Sequence, residues 1–258
     1  MTSMTLLDSV KHADMHLLPG GGVTFAGKQH ILPIRAEEIS KAVCDFPVFM
    51  TRNTNTGAWS FSLVASLMVE NNLFVEDSKW TATYVPQVIE THPFYLTPTD
   101  QDDQYALAID ESSDALSRSE GEALFDENGK SSPWLESLTK KMQSQLQSNQ
   151  QTLLFIKAIE DAELVKEIGV QVVFDDETVQ TINGLHTIDE EKLQALDSET
   201  LTDFNKRGYL QPLNGMLLSV FQLNSLIRRH NRLVETTEGQ KVIRQIKLEV
   251  ARDAGATT

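Results

Sequence analysis

A series of aromatic and glycine-marked segments within residues 71–134 decides the predicted fold of the first half of the chain. In order, the segments are Glu70-Asn71-Asn72-Leu73-Phe74-Val75, Trp80, Tyr84-Val85-Pro86, His92-Pro93-Phe94, Ala106-Leu107-Ala108-Ile109-Asp110-Glu111 and Gly121-Glu122-Ala123-Leu124-Phe125-Asp126-Glu127-Asn128-Gly129. Short apolar runs separated by Asn, Asp, Gly and Pro are typical of β-strands joined by turns. We therefore predict a meander of short antiparallel strands, with Asn128-Gly129 in a tight turn.

The same pattern covers the residues before this series as well as the series itself. Apolar and β-branched runs predict strands at residues 23–25, 31–34, 47–50, 59–64, 73–75, 81–88 and 105–109, and a short helix at residues 36–43. Pro33 cannot donate a backbone hydrogen bond, so the strand that contains it is predicted at a sheet edge.

The period changes after Ser132. This serine can cap a helix whose first residue is Pro133, and Leu135, Leu138, Met142 and Leu146 then recur at helical spacing through the Gln-rich residues 143–151. The pattern predicts one long helix, or two with a break near Asn149. Strands at residues 169–174 and 184–188 follow, with helices at residues 189–196, 198–206 and 213–233.

These elements predict an α+β fold in one domain, residues 1–233. A twisted, mainly antiparallel sheet comes chiefly from residues 20–128, and helices from residues 133–233 cover it. Residues 234–258 are polar, with Val242, Ile246 and Val250 four residues apart. They predict a loosely attached C-terminal helix or tail.

The ordered series from Asn71 onward resembles the SapC family of bacterial proteins, which is named after a protein linked to a surface layer. The resemblance runs from about residue 17 to about residue 233. Family members usually carry a basic residue and an aromatic one just before the Pro-Phe pair, so Glu90 and His92 are departures. The resemblance implies no defined reaction, catalytic residue or cofactor.

The charge limits the partners. The net charge is −15, with a local +5 over residues 205–258 (nine Lys or Arg minus four Asp or Glu), which leaves −20 on residues 1–204. Attraction to nucleic acid or anionic lipid is therefore unfavourable for the protein as a whole.

The chain shows no secretory signal and no apolar run of membrane-spanning length. We expect a cytoplasmic protein without membrane insertion, while surface association stays open because of the family name. The single cysteine, Cys44, excludes an intrachain disulfide, and its apolar neighbours predict that it is buried.

Common signatures of hydrolases and nucleotide-binding enzymes are missing from the sequence. His12 and His16 are four residues apart, as metal ligands on a helix would be, but no Glu follows His12 as in zinc proteases. The acidic segments 110–114 and 126–129 lack the spacing of a calcium loop, and the carboxylates at residues 175–177 and 189–191 fit strand and helix ends. We predict neither a catalytic centre nor a metal site.

Two groups of residues remain as binding candidates. Aromatic side chains with polar tips give a large contact area at a small entropic cost, which suits either a core or a binding patch. Basic side chains near the end of the last core helix either cap that helix or contact an acidic partner. The candidates are Trp80, Tyr84, Pro86, His92, Phe94, Arg228 and Arg229.

Two functions are compatible with these residues. The first is a non-catalytic accessory or interaction protein of the SapC type, with a protein partner or a second copy of the chain. The alternative, implied by the resemblance, is a small-molecule-binding component of a system that handles imported compounds beside a flavin-dependent halogenase. An enzyme is the less favoured interpretation.

Overall fold

The structure, a computed structural model, describes residues 4–99, 104–235 and 241–250. The strands are β1 (Met4–Leu6), β2 (His16–Leu17), β3 (Ile31–Ile34), β4 (Val48–Arg52), β5 (Trp59–Val64), β6 (Val75–Glu76), β7 (Lys79–Trp80), β8 (Phe94–Pro98), β9 (Tyr105–Asp110), β10 (Leu116–Ser117), β11 (Glu122–Ala123), β12 (Val165–Phe174), β13 (Val179–Ile188) and β14 (Ile243–Val250). The helices are α1 (Gly21–Gly27), α2 (Ala36–Ala42), α3 (Gln87–Thr91), α4 (Pro133–Ser144), α5 (Leu146–Asp161), α6 (Glu190–Gln194), α7 (Ser198–Lys206), α8 (Leu210–Ser219) and α9 (Leu223–Val234), with a 3₁₀ turn at Val220–Gln222.

The largest sheet has six strands in the order β14-β12-β13-β4-β5-β3, and every neighbouring pair is antiparallel. Strands β3 to β5 come from the first half of the chain, and β12 to β14 come from the second. The predicted α+β class is confirmed. So is the edge position of β3, where Pro33 stands.

Two apolar cores lie beside the sheets. The larger one packs the six-stranded sheet against helices that include α2, α5 and α8, around buried rings such as Phe49, Phe61 and Phe155. The smaller one contains Phe94 and Leu135, and it joins α4 to the three-stranded sheet β1-β9-β8. A second three-stranded sheet, β10-β2-β11, and the hairpin β6-β7 complete the strands that are described.

Helix α4 begins as predicted. The Ser132 hydroxyl accepts a hydrogen bond from the Leu135 backbone N–H at 3.2 Å, and Pro133 is the first helical residue. The break between α4 and α5 falls at Gln145, four residues before the predicted position. This break places Gln145 at the corner where the two helices meet.

Two predicted strands are wrong. Residues 23–25 lie in α1, which starts after Gly20 in the left-handed conformation (φ 74°). A run of only three β-branched or aromatic residues cannot by itself distinguish helix from strand. Residues 82–86 are irregular and lead into α3, because Asp45 Oδ2 accepts hydrogen bonds from the backbone N–H groups of Thr83 and Tyr84 at 2.9 and 3.1 Å.

The last core helix is also divided. It starts at Leu210 and is interrupted by the 3₁₀ turn. At the break, the Ser219 hydroxyl donates to the Met216 carbonyl at 2.7 Å and accepts from the Val48 N–H at 2.9 Å, which ties the helix to β4.

The predicted C-terminal helix is wrong for the residues that can be compared. Residues 243–250 form strand β14, which pairs with β12, and Ile243 is buried. Residues 236–240 and 251–258 of that prediction lie outside the described part of the chain. Residues four apart share a face in both a helix and a strand, so the spacing of Val242, Ile246 and Val250 fits either one. Cys44, predicted to be buried, is exposed in the turn after α2.

Candidate functional site

A cleft of about 310 Å³ lies where the two cores meet. Its walls come from β3, the start of α2, α3, β8, and the corner between α4 and α5. The lining residues are Pro33, Ile34, Arg35, Glu38, Val88, Thr91, Phe94, Tyr95, Leu96, Met142, Gln145 and Asn149. Segments far apart in sequence therefore build one concave surface.

Glu38 is the buried anion of the cleft, with 3% of its surface exposed. Its Oε1 accepts hydrogen bonds from the Tyr84 hydroxyl at 2.6 Å and the Gln87 N–H at 3.0 Å. Its Oε2 accepts from the Arg35 N–H at 2.9 Å. Burial, and then the bond to Glu38, raise the pKa of Tyr84, so this phenol stays protonated and donates. Both oxygens of the carboxylate are thus satisfied, as a buried charge requires.

The guanidinium of Arg35 is fixed by three other side chains. Its Nε donates to Asn149 Oδ1 at 2.5 Å, and its Nη1 donates to Gln87 Oε1 and lies 3.8 Å from Glu38 Oε2. A planar group held by partners from α2, α3 and α5 has little rotational freedom left to lose when a ligand binds.

Gln145 is the exception among these polar groups. Only 7% of its surface is exposed, yet its Oε1 has no hydrogen-bond partner in the described part of the chain. Leaving a buried acceptor unpaired costs about 1–3 kcal/mol, so such groups in folded proteins call for an explanation. A donor brought by a bound molecule would satisfy this oxygen.

The rest of the cleft wall is largely apolar, with Ile34, Val88, Leu96 and Met142 among its members. Apolar walls with a few fixed polar groups, around roughly 300–1,000 Å³, are typical of small-molecule sites. The arrangement can therefore enclose an apolar body and hydrogen-bond its polar edge.

Three of the five binding candidates in the first half of the chain lie in or beside this cleft. Phe94 lines it, Tyr84 holds Glu38 in place, and Pro86 is the residue that precedes α3. Trp80 lies apart from it: its Nε1 donates to the Tyr84 carbonyl at 2.8 Å, and its ring packs against Phe46 and Phe74. Of these four candidates, only Phe94 lines the cleft, and Tyr84 stabilises it through Glu38.

His92 faces a different depression, of about 390 Å³. Its ring stacks on Phe25 with centroids 3.8 Å apart, and its Nε2 lies 2.7 Å from the Ser113 hydroxyl. Its Nδ1 faces the Tyr95 hydroxyl at 3.4 Å, where a catalytic triad would place a carboxylate. Burial lowers the pKa of His92 to about 4, against a smaller opposing effect of Asp110, which makes this imidazole a weak base.

The two predicted arginines have different surroundings. The Arg229 guanidinium lies 4.1 Å from the centroid of the Phe74 ring, and its Nη1 lies 3.6 Å from Glu76 Oε1. Arg228 is exposed on α9. Only Arg228 of this pair is open to a partner.

The histidine pair of the first segment is divided between two environments. His12 is fully buried, and its Nε2 lies 2.7 Å from Glu111 Oε1, whereas His16 Nδ1 lies 3.0 Å from the Asp14 carbonyl. Within residues 4–99, 104–235 and 241–250, no group of three His, Cys, Asp or Glu side chains is placed to hold a metal ion. Over the same ranges, no helix is both long and apolar enough to cross a membrane.

Sequence reasoning missed the polar residues of the cleft, Arg35, Glu38, Gln145 and Asn149. One local signal was available: Gln145 and Asn149 are four residues apart within the Gln-rich run, so they share a helix face. The contacts that define the site join residues 46 and 114 positions apart in the chain, and no local pattern reveals these.

The fold and the cleft define an α+β protein with a ligand-sized site between its two cores. A family model for SapC matches residues 7–226 of the 258, and the chain therefore belongs to the SapC family. The match includes every lining residue of the cleft and ends before β14. No curated protein and no solved structure matches the chain.

Proposed function

We propose that this SapC-family protein binds a small molecule in the cleft between its two cores. The observation that carries the proposal is the unpaired, buried Oε1 of Gln145 in the cleft wall. An unpaired buried acceptor lowers the stability of the free protein, and its presence is explained if a ligand donates a hydrogen bond to it. Functional sites commonly retain side chains that lower stability in this way.

Two further features support the proposal. The polar side chains Arg35, Glu38 and Asn149 hold one another in place without a ligand, so the site is formed in advance. The implied setting of the family, in which an imported compound is handled beside a flavin-dependent halogenase, gives such a protein a role as a carrier or presenter of that compound.

The test is a fragment screen by thermal shift and isothermal titration calorimetry on the full chain. A ligand at 100 times its dissociation constant should stabilise the protein by about 2.7 kcal/mol. Gln145→Leu should abolish the response or weaken it at least tenfold. Gln143→Leu, which replaces an exposed glutamine of α4 two residues away, should leave it intact. No binder in a broad screen, or binders indifferent to Gln145→Leu, would refute the proposal.

A second candidate function is protein interaction, and a stripe on α8 and α9 favours it. Gln211, Asn214, Leu218, Phe221, Asn224, Arg228 and Arg232 are exposed at helical spacing. Leu218 and Phe221 are 68% and 72% exposed, and residues 210–234 contain no Asp or Glu. We propose an acidic, amphipathic partner segment as the occupant, because the stripe combines apolar area with the exposed Arg228 and Arg232 and has no carboxylate of its own.

This second candidate can be tested with a model helical peptide that carries Leu on one face and Glu on the other. Wild type should bind it more weakly as salt rises, and the double variant Phe221→Ser and Arg228→Ala should bind at least tenfold more weakly. A Leu/Lys peptide is the matched control. Equal binding of the two peptides would count against an acidic partner. So would a wild type that binds neither peptide but self-associates, if the double variant loses that self-association.

A further inference from the structure

We infer that the ligand of the cleft is a neutral, planar heterocycle with an amide-type edge, in which a ring N–H stands beside a ring C=O. This inference rests on the proposed binding function and specifies its ligand class. It follows from three properties of the cleft: its charge balance, the hydrogen-bonding groups still free in its wall, and its apolar surfaces.

The charges of the cleft are already balanced. Among the described residues that line it, only Arg35 and Glu38 are Lys, Arg, Asp or Glu, and Arg35 Nη1 lies 3.8 Å from Glu38 Oε2. Glu38 is held by Tyr84 and by two backbone N–H groups, so it does not leave Arg35 to make room for a ligand carboxylate. A charged ligand would therefore enter a desolvated site without an unopposed counterion, which is unfavourable.

The free hydrogen-bonding groups form a complementary pair. Gln145 Oε1 is an acceptor without a donor. Asn149 Oδ1 accepts a hydrogen bond from Arg35, and this contact fixes the orientation of the carboxamide. The NH₂ group of Asn149 has no acceptor among the described residues, so it can donate to a ligand. Because the two residues are four apart at the start of α5, they lie on one face of the helix. A ligand edge with one N–H and one C=O matches this pair.

The remaining surfaces favour a flat apolar body. Ile34, Val88, Phe94 and Met142 supply aliphatic, aromatic and thioether surface, and the volume of about 310 Å³ suits a molecule of one or two fused rings.

The experiment compares two probes that differ by one methyl group, 2-quinolinone and N-methyl-2-quinolinone, by isothermal titration calorimetry. Wild type should bind 2-quinolinone at least tenfold more tightly, since the methyl group removes the donor that Gln145 requires. In Gln145→Leu the preference should fall to within about threefold, and in Gln143→Leu it should persist. Quinoline-2-carboxylate should bind more weakly than 2-quinolinone.

The outcomes separate the ligand class from the binding function. If both quinolinones bind wild type equally, or if the carboxylate binds most tightly, the amide-edge inference is wrong while the cleft remains a binding site. If neither quinolinone binds but other fragments bind with dependence on Gln145, the inferred class is again wrong and the proposed function stands. If no fragment binds at all, the proposed function fails with it.

Discussion

Two of the places where this protein buries polar side chains, the cluster around His12 and the cleft, differ in how completely those side chains are paired. Around His12, the Asp8 N–H donates to Nδ1 at 2.9 Å, and Nε2 meets Glu111, which also accepts from Thr5 and Lys11. In the cleft, Arg35 and Glu38 are paired, but Gln145 Oε1 is not. The first cluster is complete in the protein alone, whereas the second lacks a donor.

The difference separates structure from function in physical terms. A fully paired cluster fixes the N-terminal segment against β9 and gains nothing from a further partner. An incomplete cluster in a concave, partly apolar site gains a hydrogen bond when a ligand arrives. Removing a paired side chain at either place should therefore destabilise the protein, whereas removing the unpaired amide of Gln145 should stabilise it.

The largest effect is expected for Glu38→Ala, which breaks the paired part of the cleft. It leaves Arg35 without its buried anion and the Tyr84 hydroxyl without an acceptor, so the free energy of unfolding should fall by about 3–4 kcal/mol. Urea denaturation measures this. Glu37→Ala, at an exposed neighbour, should change it by less than about 0.5 kcal/mol. Equal effects of the two would show that Glu38 is not structurally important.

Next is His12→Ala, which breaks the complete cluster. A fully buried ring is lost, and Glu111 and the Asp8 N–H lose a partner, so we expect a loss of about 3 kcal/mol. The matched control is His16→Ala, whose ring makes one hydrogen bond to a nearby carbonyl. If both variants are as stable as wild type, the paired cluster around His12 does not stabilise the fold, and the proposed contrast between the two clusters is wrong.

His92 extends the comparison to a buried group that titrates. Its pKa is lowered to about 4 in the native state from about 6.5 in the unfolded state, so the unfolded state binds a proton first as the pH falls. The contribution of this residue to stability is nearly complete above pH 6.5 and should decline by about 3 kcal/mol as the pH falls to 4.

Denaturation of wild type and His92→Gln at several pH values checks this. The pKa of His30 is also lowered by burial and contributes in the same direction, so the difference between the two proteins isolates His92. If the free energies of unfolding of the two proteins change in parallel between pH 4 and 6.5, the pKa of His92 is not lowered in the native state.

The smallest effect is a gain. Gln145→Leu removes the unpaired acceptor and adds apolar surface at the corner of α4 and α5, so the free protein should become more stable by about 1 kcal/mol. Gln143→Leu, on the exposed side of α4, should be nearly neutral. A loss of stability in Gln145→Leu would mean that the amide has partners and that the cleft is complete without a ligand.

The fold was predictable where local chemistry decides it. Pro33 marked an edge strand, and Ser132-Pro133 marked the start of α4, because each acts through its own backbone. The strand β14 was not predictable, because a four-residue spacing of apolar residues fits helix and strand alike. Its partner strand, β12, is also distant in sequence. The same limit applies to the cleft. Phe94 lines the cleft, and Tyr84 and Pro86 lie beside it, but the polar residues of the wall come from segments that only the tertiary structure brings together.

The most direct test of the ligand cleft is a methyl NMR titration of the full chain with 2-quinolinone or another fragment found to bind. Methyl groups of Ile34, Val88, Leu96 and Met142 line the cleft, whereas those of Leu185 and Ile243 are buried outside its lining, in β13 and β14, and serve as internal controls. We predict saturable shifts in the first set, absent in Gln145→Leu, with the controls unchanged. Shifts centred on the control methyls, or unchanged shifts in Gln145→Leu, would contradict a ligand site at this cleft.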